Sequence, residues 1–280
     1  PLIHTYAMVQ KNKPSKIFKK RWILGYLPLE IFDSLKRQQL ISPGFLLTLI
    51  LLFSPIVIWL SYQPTSISNP IIALAKFNAF MAISSLSINF VLSTRLKTLE
   101  RLFYGLDRMY RVHKFIGRSS LLFIILHPVF LMINTFPNMS IITSYVLPIG
   151  NIEIALGVIS VYLFLFLLTL TVAIKIPYHY WHNSHKLFGF VLIFSGIHAL
   201  VAGSDINSFF YLQVAVALYV IIGVISWLYM LLLFKKIGPK YEVRIKRIDP
   251  LGDVTDIYFK KPFNFDFEPG QYVFIRFPRF

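Results

Sequence analysis

The sequence has no cysteine and little charge. Charged residues make up 14% of its 280 positions, against about 25% in a soluble domain. Without cysteine there is no disulfide, no thiolate metal site and no cysteine nucleophile. Acidic residues are the scarcest charged class, 12 Asp+Glu against 28 Lys+Arg, which leaves a formal charge of +16. A basic chain invites a nucleic-acid reading. Few charges in a chain that is 56% hydrophobic, with a mean hydropathy of +0.65, point instead to a lipid bilayer as partner, and no nucleic acid is expected. Residues 1–40 lack the apolar core of a signal peptide.

What is abundant is long apolar sequence. A run of about 20 residues crosses a ~30 Å hydrocarbon layer, and six candidates fit: Phe45–Tyr62, Ile71–Leu92, His113–Ile133, Ile152–Ile174, Trp181–Val201 and Phe209–Phe234. The linking segments 63–70, 134–151 and 202–208 hold no Lys or Arg, whereas the alternate segments and both termini, counted with Lys114 and Lys186 at the adjoining ends of spans three and five, hold 26 of the 28. The positive-inside rule then predicts an integral, multi-pass protein with both termini in the cytoplasm. Residues 1–42, with eight cations among residues such as Trp22, Leu24 and Phe32, form a basic cytosolic segment. It reads equally as an interfacial helix on anionic lipid or as a basic tail. Asn138-Met139-Ser140 fits a glycosylation sequon, a tripeptide common by chance. Residues 43–234 form the bundle. Residues 235–280 change texture: Tyr241, Val243 and Ile245 alternate with charged residues, Asp249–Gly252 reads as a turn, and Val254–Phe259 and Gln271–Ile275 read as further strands. Three strands leave open edges and little core, so this is expected to be the start of a larger β domain.

The chemistry lies in the histidines. His113 and His127 fall in the third span, and His185 and His198 in the fifth. Ionisable side chains inside a membrane mark functional sites, although a single histidine there commonly packs against a carbonyl. The gaps of 14 and 13 residues span about 21 and 20 Å at 1.5 Å per residue. One intervening span makes the two helices parallel, so His113 is expected level with His185, and His127 with His198. Two facing imidazoles at two heights are what two stacked bis-histidine haems require. Direction around the helix is less tidy, because thirteen residues leave roughly 140° between ring directions on a straight helix. His179 and His182 compete with His185, but only His185 gives the matching height.

The segments Tyr110–Phe115 through His127 and His185–Gly189 through His198 resemble the ferric reductase/NADPH oxidase family, which carries the same spacings on its third and fifth spans. Ser93-Thr94-Arg95-Leu96 resembles bacterial members, and Phe267–Val273 resembles the early strands of their FAD-binding barrel. The resemblance implies an all-α membrane protein: a six-transmembrane-helix haem-binding bundle followed by the first strands of a β-barrel FAD-binding domain, in a bacterial plasma membrane. It implies two haem b groups, one on His113 and His185 and one on His127 and His198, with FAD and NAD(P)H bound by the full-length protein. Electrons would run from cytosolic NAD(P)H to an acceptor outside, oxygen giving superoxide or ferric iron. The nicotinamide site and the main flavin motif would follow Phe280. Leu131 stands where some oxygen-reducing relatives carry a second histidine.

Two cations lie inside the spans, Lys76 and Arg118. Haem propionates are anionic, so Lys76 is expected near the outer pair and Arg118 near the inner pair, against simple snorkelling to the interface. Phe123, Phe190 and Phe194 fall between the two levels. Three functions stay open: a flavohaem oxidoreductase, a haem-only electron conduit fed by a separate flavoprotein, and a transporter or scaffold whose histidines only pack.

Overall fold

The structure, a computed structural model, describes residues 42–202, 205–237, 242–251 and 254–260. The basic segment before Ser42 and the strand expected at Gln271–Ile275, with the Phe267–Gln271 stretch before it, lie outside the described residues. Within them, six helices are long and apolar enough to cross a membrane, so the chain is a multi-pass membrane protein. Their outward faces carry large apolar side chains: Ile50, Val57, Phe166 and Ile225 are each at least 60% exposed, as lipid-facing residues are.

Helix α1 is Pro43–Ser61, with Pro43 in the first turn and the Ser42 hydroxyl accepting the Phe45 N–H at 3.1 Å. Pro55 inside it has no N–H, which leaves the Leu51 carbonyl short of its usual partner. Two hydroxyls fill the gap: Tyr219 donates to the Leu51 oxygen at 2.6 Å and Ser54 at 3.1 Å, the two hydroxyls lying 2.8 Å apart. Helix α2, Pro70–Ser93, starts on Asn69, whose side chain accepts from the Ile71 and Ile72 N–H groups. It is the most enclosed of the six. Ser84, Ser85 and Ser87 are buried on it, small enough to let neighbouring helices approach closely.

A short helix α3, Lys97–Leu102, turns the chain after Arg95, which sits in the left-handed region at φ 57°. Helix α4, Leu106–Thr135, begins well before His113, so its first two turns extend beyond the apolar run. Helix α5, Met139–Val146, is capped by the Asn138 side chain at 3.4 Å from the Ile141 N–H, which gives the sequon asparagine a local role. Helix α6 is Ile152–Val172. The fifth span is broken into α7, Tyr178–His185, and α8, Phe188–Val201. After a single turn, α9 (Asp205–Ser208), the sixth span is α10, Phe210–Leu228, which continues through a π-turn at Tyr229–Leu233 into α11, Phe234–Ile237.

Helix α2 packs along α4 and α10, and α6 packs along α8. Gly223 of α10 meets α2 so closely that a Cβ there would lie 3.1 Å from Ser87 Cα and 2.6 Å from Leu192.

A hairpin follows the bundle: β1, Ile245–Leu251, pairs antiparallel with β2, Val254–Phe259. The strand expected from Tyr241 starts later, at Ile245, and the stretch read as a turn from Asp249 is strand as far as Leu251. Cross-strand pairing carries the ladder through Pro250, opposite Thr255, which a two-stranded edge tolerates.

Replacing Tyr219 by Phe should leave the Leu51 carbonyl only the longer bond from Ser54 Oγ and cost about 1 kcal/mol. Thermal unfolding in detergent should then move down by a few degrees, and an unchanged midpoint would count against this role for the hydroxyl.

Candidate functional site

The four span histidines meet in two pairs. The ring centres of His113 and His185 are 6.2 Å apart, and those of His127 and His198 are 6.4 Å apart. No histidine crosses to the other level, so the heights expected from 14- and 13-residue gaps are realised. The competing histidines pack elsewhere, His179 on Tyr180 and His182 on Tyr178.

Backbone carbonyls orient three of the four rings. His113 Nδ1–H donates to the Asn89 oxygen at 3.1 Å, and His127 Nδ1–H donates to the Ala75 oxygen at 2.9 Å. Both carbonyls belong to α2, and they are separated by the same 14 residues as the histidines they hold. Two antiparallel helices with equal rise make that match automatic. His198 Nδ1–H donates to the Glu153 oxygen of α6 at 2.8 Å. A ring that gives its Nδ1 proton to a carbonyl is fixed as the tautomer with a lone pair on Nε2, the form that binds metals. His185 is held differently. Its Nδ1 lies 3.4 Å from Thr171 Oγ1, Trp181 stacks on its face at 5.1 Å, and Phe188 meets it edge-on at 5.0 Å.

Two imidazoles in line on one metal would have ring centres about 6.4 Å apart, given a metal–nitrogen bond of about 2.0 Å and a ring centre about 1.2 Å behind each nitrogen. Both pairs meet that spacing. Among the described residues no three His, Asp or Glu side chains gather as a metal site, so each pair offers two donors only. A haem, whose macrocycle supplies the other donors, is the group this donor set fits.

The break in the fifth span accounts for the misdirected rings. Lys186 and Leu187 separate α7 from α8, and the N–H groups of Leu187, Gly189 and Phe190 bond three residues back rather than four. At ~120° per residue instead of ~100°, three tightened residues add about 60° and so remove part of the mismatch. Trp227 of α10 props the break. Its indole N–H donates to the Lys186 carbonyl at 2.7 Å, and a Cβ on Gly189 would fall 2.1 Å from its ring.

Around the His127–His198 pair lies a cavity of about 300 Å³, at the lower end of cofactor-sized clefts. Helices α2, α4, α6 and α8 line it, with Leu131 and Tyr145 on its wall. Gly157 of α6 gives the His198 ring its room, since a Cβ there would lie 2.9 Å from the imidazole.

Lys76 also lines this cavity, but it is paired: its Nζ is 2.6 Å from Asp205 Oδ1. The other carboxylate oxygen accepts from Trp59 Nε1 at 2.7 Å and from Ser66 Oγ at 2.6 Å. Burial pushes the Asp205 carboxyl up, but the hydrogen bonds from Lys76, Ser66 and Trp59, with the lysine charge, outweigh it and hold the group below the usual carboxylate range. Arg118 is exposed on α4. Phe190 lies against Trp227 at the bundle surface, and Phe123 is partly buried against the core cluster that includes Leu52 and Ile116. Sequence reasoning missed Asp205, though it is one of two acidic residues between Asp107 and Glu242. It also missed Thr171, Trp227 and the three carbonyls. A backbone acceptor leaves no trace in residue identity, and Thr171 is one of several threonines in the spans.

Residues 78–196 match the family model for a ferric reductase like transmembrane component. The matched segment holds His113, His127 and His185 and ends just before His198. No curated protein matches the chain.

Asp205→Asn should cost about 1–3 kcal/mol, because it leaves Lys76 half-buried without its counter-charge. A carboxyl held low contributes stability above its unfolded pKa of ~3.9 and loses it as pH falls through the lower folded value. Wild type should therefore lose stability below about pH 4 more steeply than the Asn variant, as read by unfolding midpoints across pH. Gly157→Ala should displace the His198 ring and cost about 1–3 kcal/mol by overpacking. A fully stable alanine variant would contradict the close approach.

Proposed function

We propose that this ferric-reductase-like transmembrane component is an oxidoreductase unit that carries electrons from cytosolic NAD(P)H, by way of FAD, to an acceptor on the far side of the membrane. Two b-type haems are its carriers. The observation that supports this reading is the two facing histidine pairs, each at the spacing of two imidazoles on one metal, stacked at two depths of one bundle. His113 and His185 would hold the haem on the cytoplasmic side, and His127 and His198 the outer one.

When bound, such haems supply one-electron carriers whose iron has no vacant position, so a small acceptor reacts at the edge. The chain's own part is to hold four Nε2 lone pairs in place and keep water out with an apolar bundle. Lys76, on the cavity wall beside Asp205, would meet outer propionates, and Arg118 would serve those of the inner haem. The concentration of 26 of 28 cations on alternate segments supports cytoplasmic termini. The β1–β2 hairpin then belongs to the start of the flavin domain. The proposed acceptor is oxygen, giving superoxide; the alternatives are a ferric chelate, or a separate flavoprotein as donor.

The chain expressed in haem-replete cells should purify with two haems and give sharp reduced-minus-oxidised bands. His113→Ala and His127→Ala should each lose one haem. Protein that folds without haem would sink this reading in favour of packing histidines. In the full-length protein, cytochrome c reduction sensitive to superoxide dismutase, compared with ferric-chelate reduction, decides the acceptor.

A further inference from the structure

We propose that Thr171 is a positioning residue that sets the midpoint potential of the His113–His185 haem, by offering His185 a weaker acceptor than any other ligand has. The inference rests on the two-haem reading above. Three ring Nδ1–H groups donate to helix carbonyls at 2.8 to 3.1 Å. The fourth meets a hydroxyl oxygen at 3.4 Å, beyond the ordinary N–H···O range. The hydroxyl spends its own hydrogen on the Leu167 carbonyl at 2.8 Å, so toward His185 it presents only a lone pair.

This exception has a structural origin. On α2 and α4 the held rings and their carbonyls advance together, 14 residues against 14. On the broken fifth span, 13 residues separate His185 from His198, while 18 separate Thr171 from Glu153 on α6. The interruption at Lys186–Leu187 takes His185 out of the register in which a carbonyl of α6 would face its ring. The plane of the ring is then kept by Trp181 and Phe188, and only Thr171 remains to hold the Nδ1 proton.

A hydrogen bond from Nδ1–H makes an imidazole a more basic ligand. A more basic ligand favours iron(III) over iron(II), and so lowers the potential. Losing or weakening the bond raises it. With bonds of 3.1 and 3.4 Å against 2.9 and 2.8 Å, this contribution makes the haem on the His113 side the easier one to reduce. Electrons delivered from the cytoplasm are thereby held at the first level until the second accepts them.

Redox titration of the purified haem-loaded protein, followed by its visible bands, tests this with three variants. Thr171→Val removes the acceptor at nearly constant volume and should raise the midpoint of one haem only. Thr171→Asn, with an amide oxygen, should lower that same midpoint, and Thr171→Ser should restore the wild-type value. The affected haem should be the one that survives in His127→Ala. A merely structural threonine would shift both haems together or reduce haem content without opposite displacements by Val and Asn. Equal midpoints in wild type and both variants, with two haems bound, would overturn the role of Thr171 and leave the haem reading standing. Wild-type protein without haem would overturn both.

Discussion

The bond from an imidazole Nδ1–H to a helix carbonyl is the constraint on which the interior of this bundle depends. It needs a histidine inside a membrane helix, a neighbouring antiparallel helix at close range, and a carbonyl oxygen with a second lone pair to share. Helix α2 meets the last two conditions twice, through Ala75 and Asn89. Its buried serines bring it near its neighbours, and its equal rise keeps both bonds in step with α4. The central helix therefore acts as a ruler for the histidines, although it carries none itself. The same bond fixes which nitrogen stays bare on three of the four rings.

Electrostatics are arranged around that interior with very few groups. Most cations sit at alternate ends of the spans, where topology alone explains them. Lys76 is the exception on the opposite side, and Asp205 answers it. One carboxylate there joins α1 through Trp59, the turn before α2 through Ser66, and α2 through Lys76. Where charge is so scarce, a single acidic residue ties together three segments that share few other polar contacts.

Much of this was legible in the sequence. Six apolar runs became six long helices within a few residues, because length and hydropathy are direct readings of bilayer thickness. The two histidine levels followed from rise per residue alone. The limits were equally physical. The third helix starts at Leu106 rather than at the apolar run, since helical hydrogen bonding does not stop at the membrane surface. The hairpin is displaced from its expected strand at Tyr241 because cross-strand pairing, which is non-local, sets the register. The partners of the rings were hidden because three are backbone atoms, and the partner of Lys76 because Asp205 lies 129 residues away in sequence.

The discontinuity at Lys186–Leu187 has a mechanical consequence. A continuous helix would transmit any tilt or twist from one end to the other as a rigid rod. Here the rod is jointed between His185 and His198, and the joint is braced laterally by Trp227 rather than along its axis. Forces applied at the Tyr178 end of this span would be taken up by the short segment that carries His185. The His127–His198 pair lies beyond the joint, its rings held by carbonyls of α2 and α6. The two levels of the bundle can thus differ in compliance, softer at His113–His185 and stiffer at His127–His198.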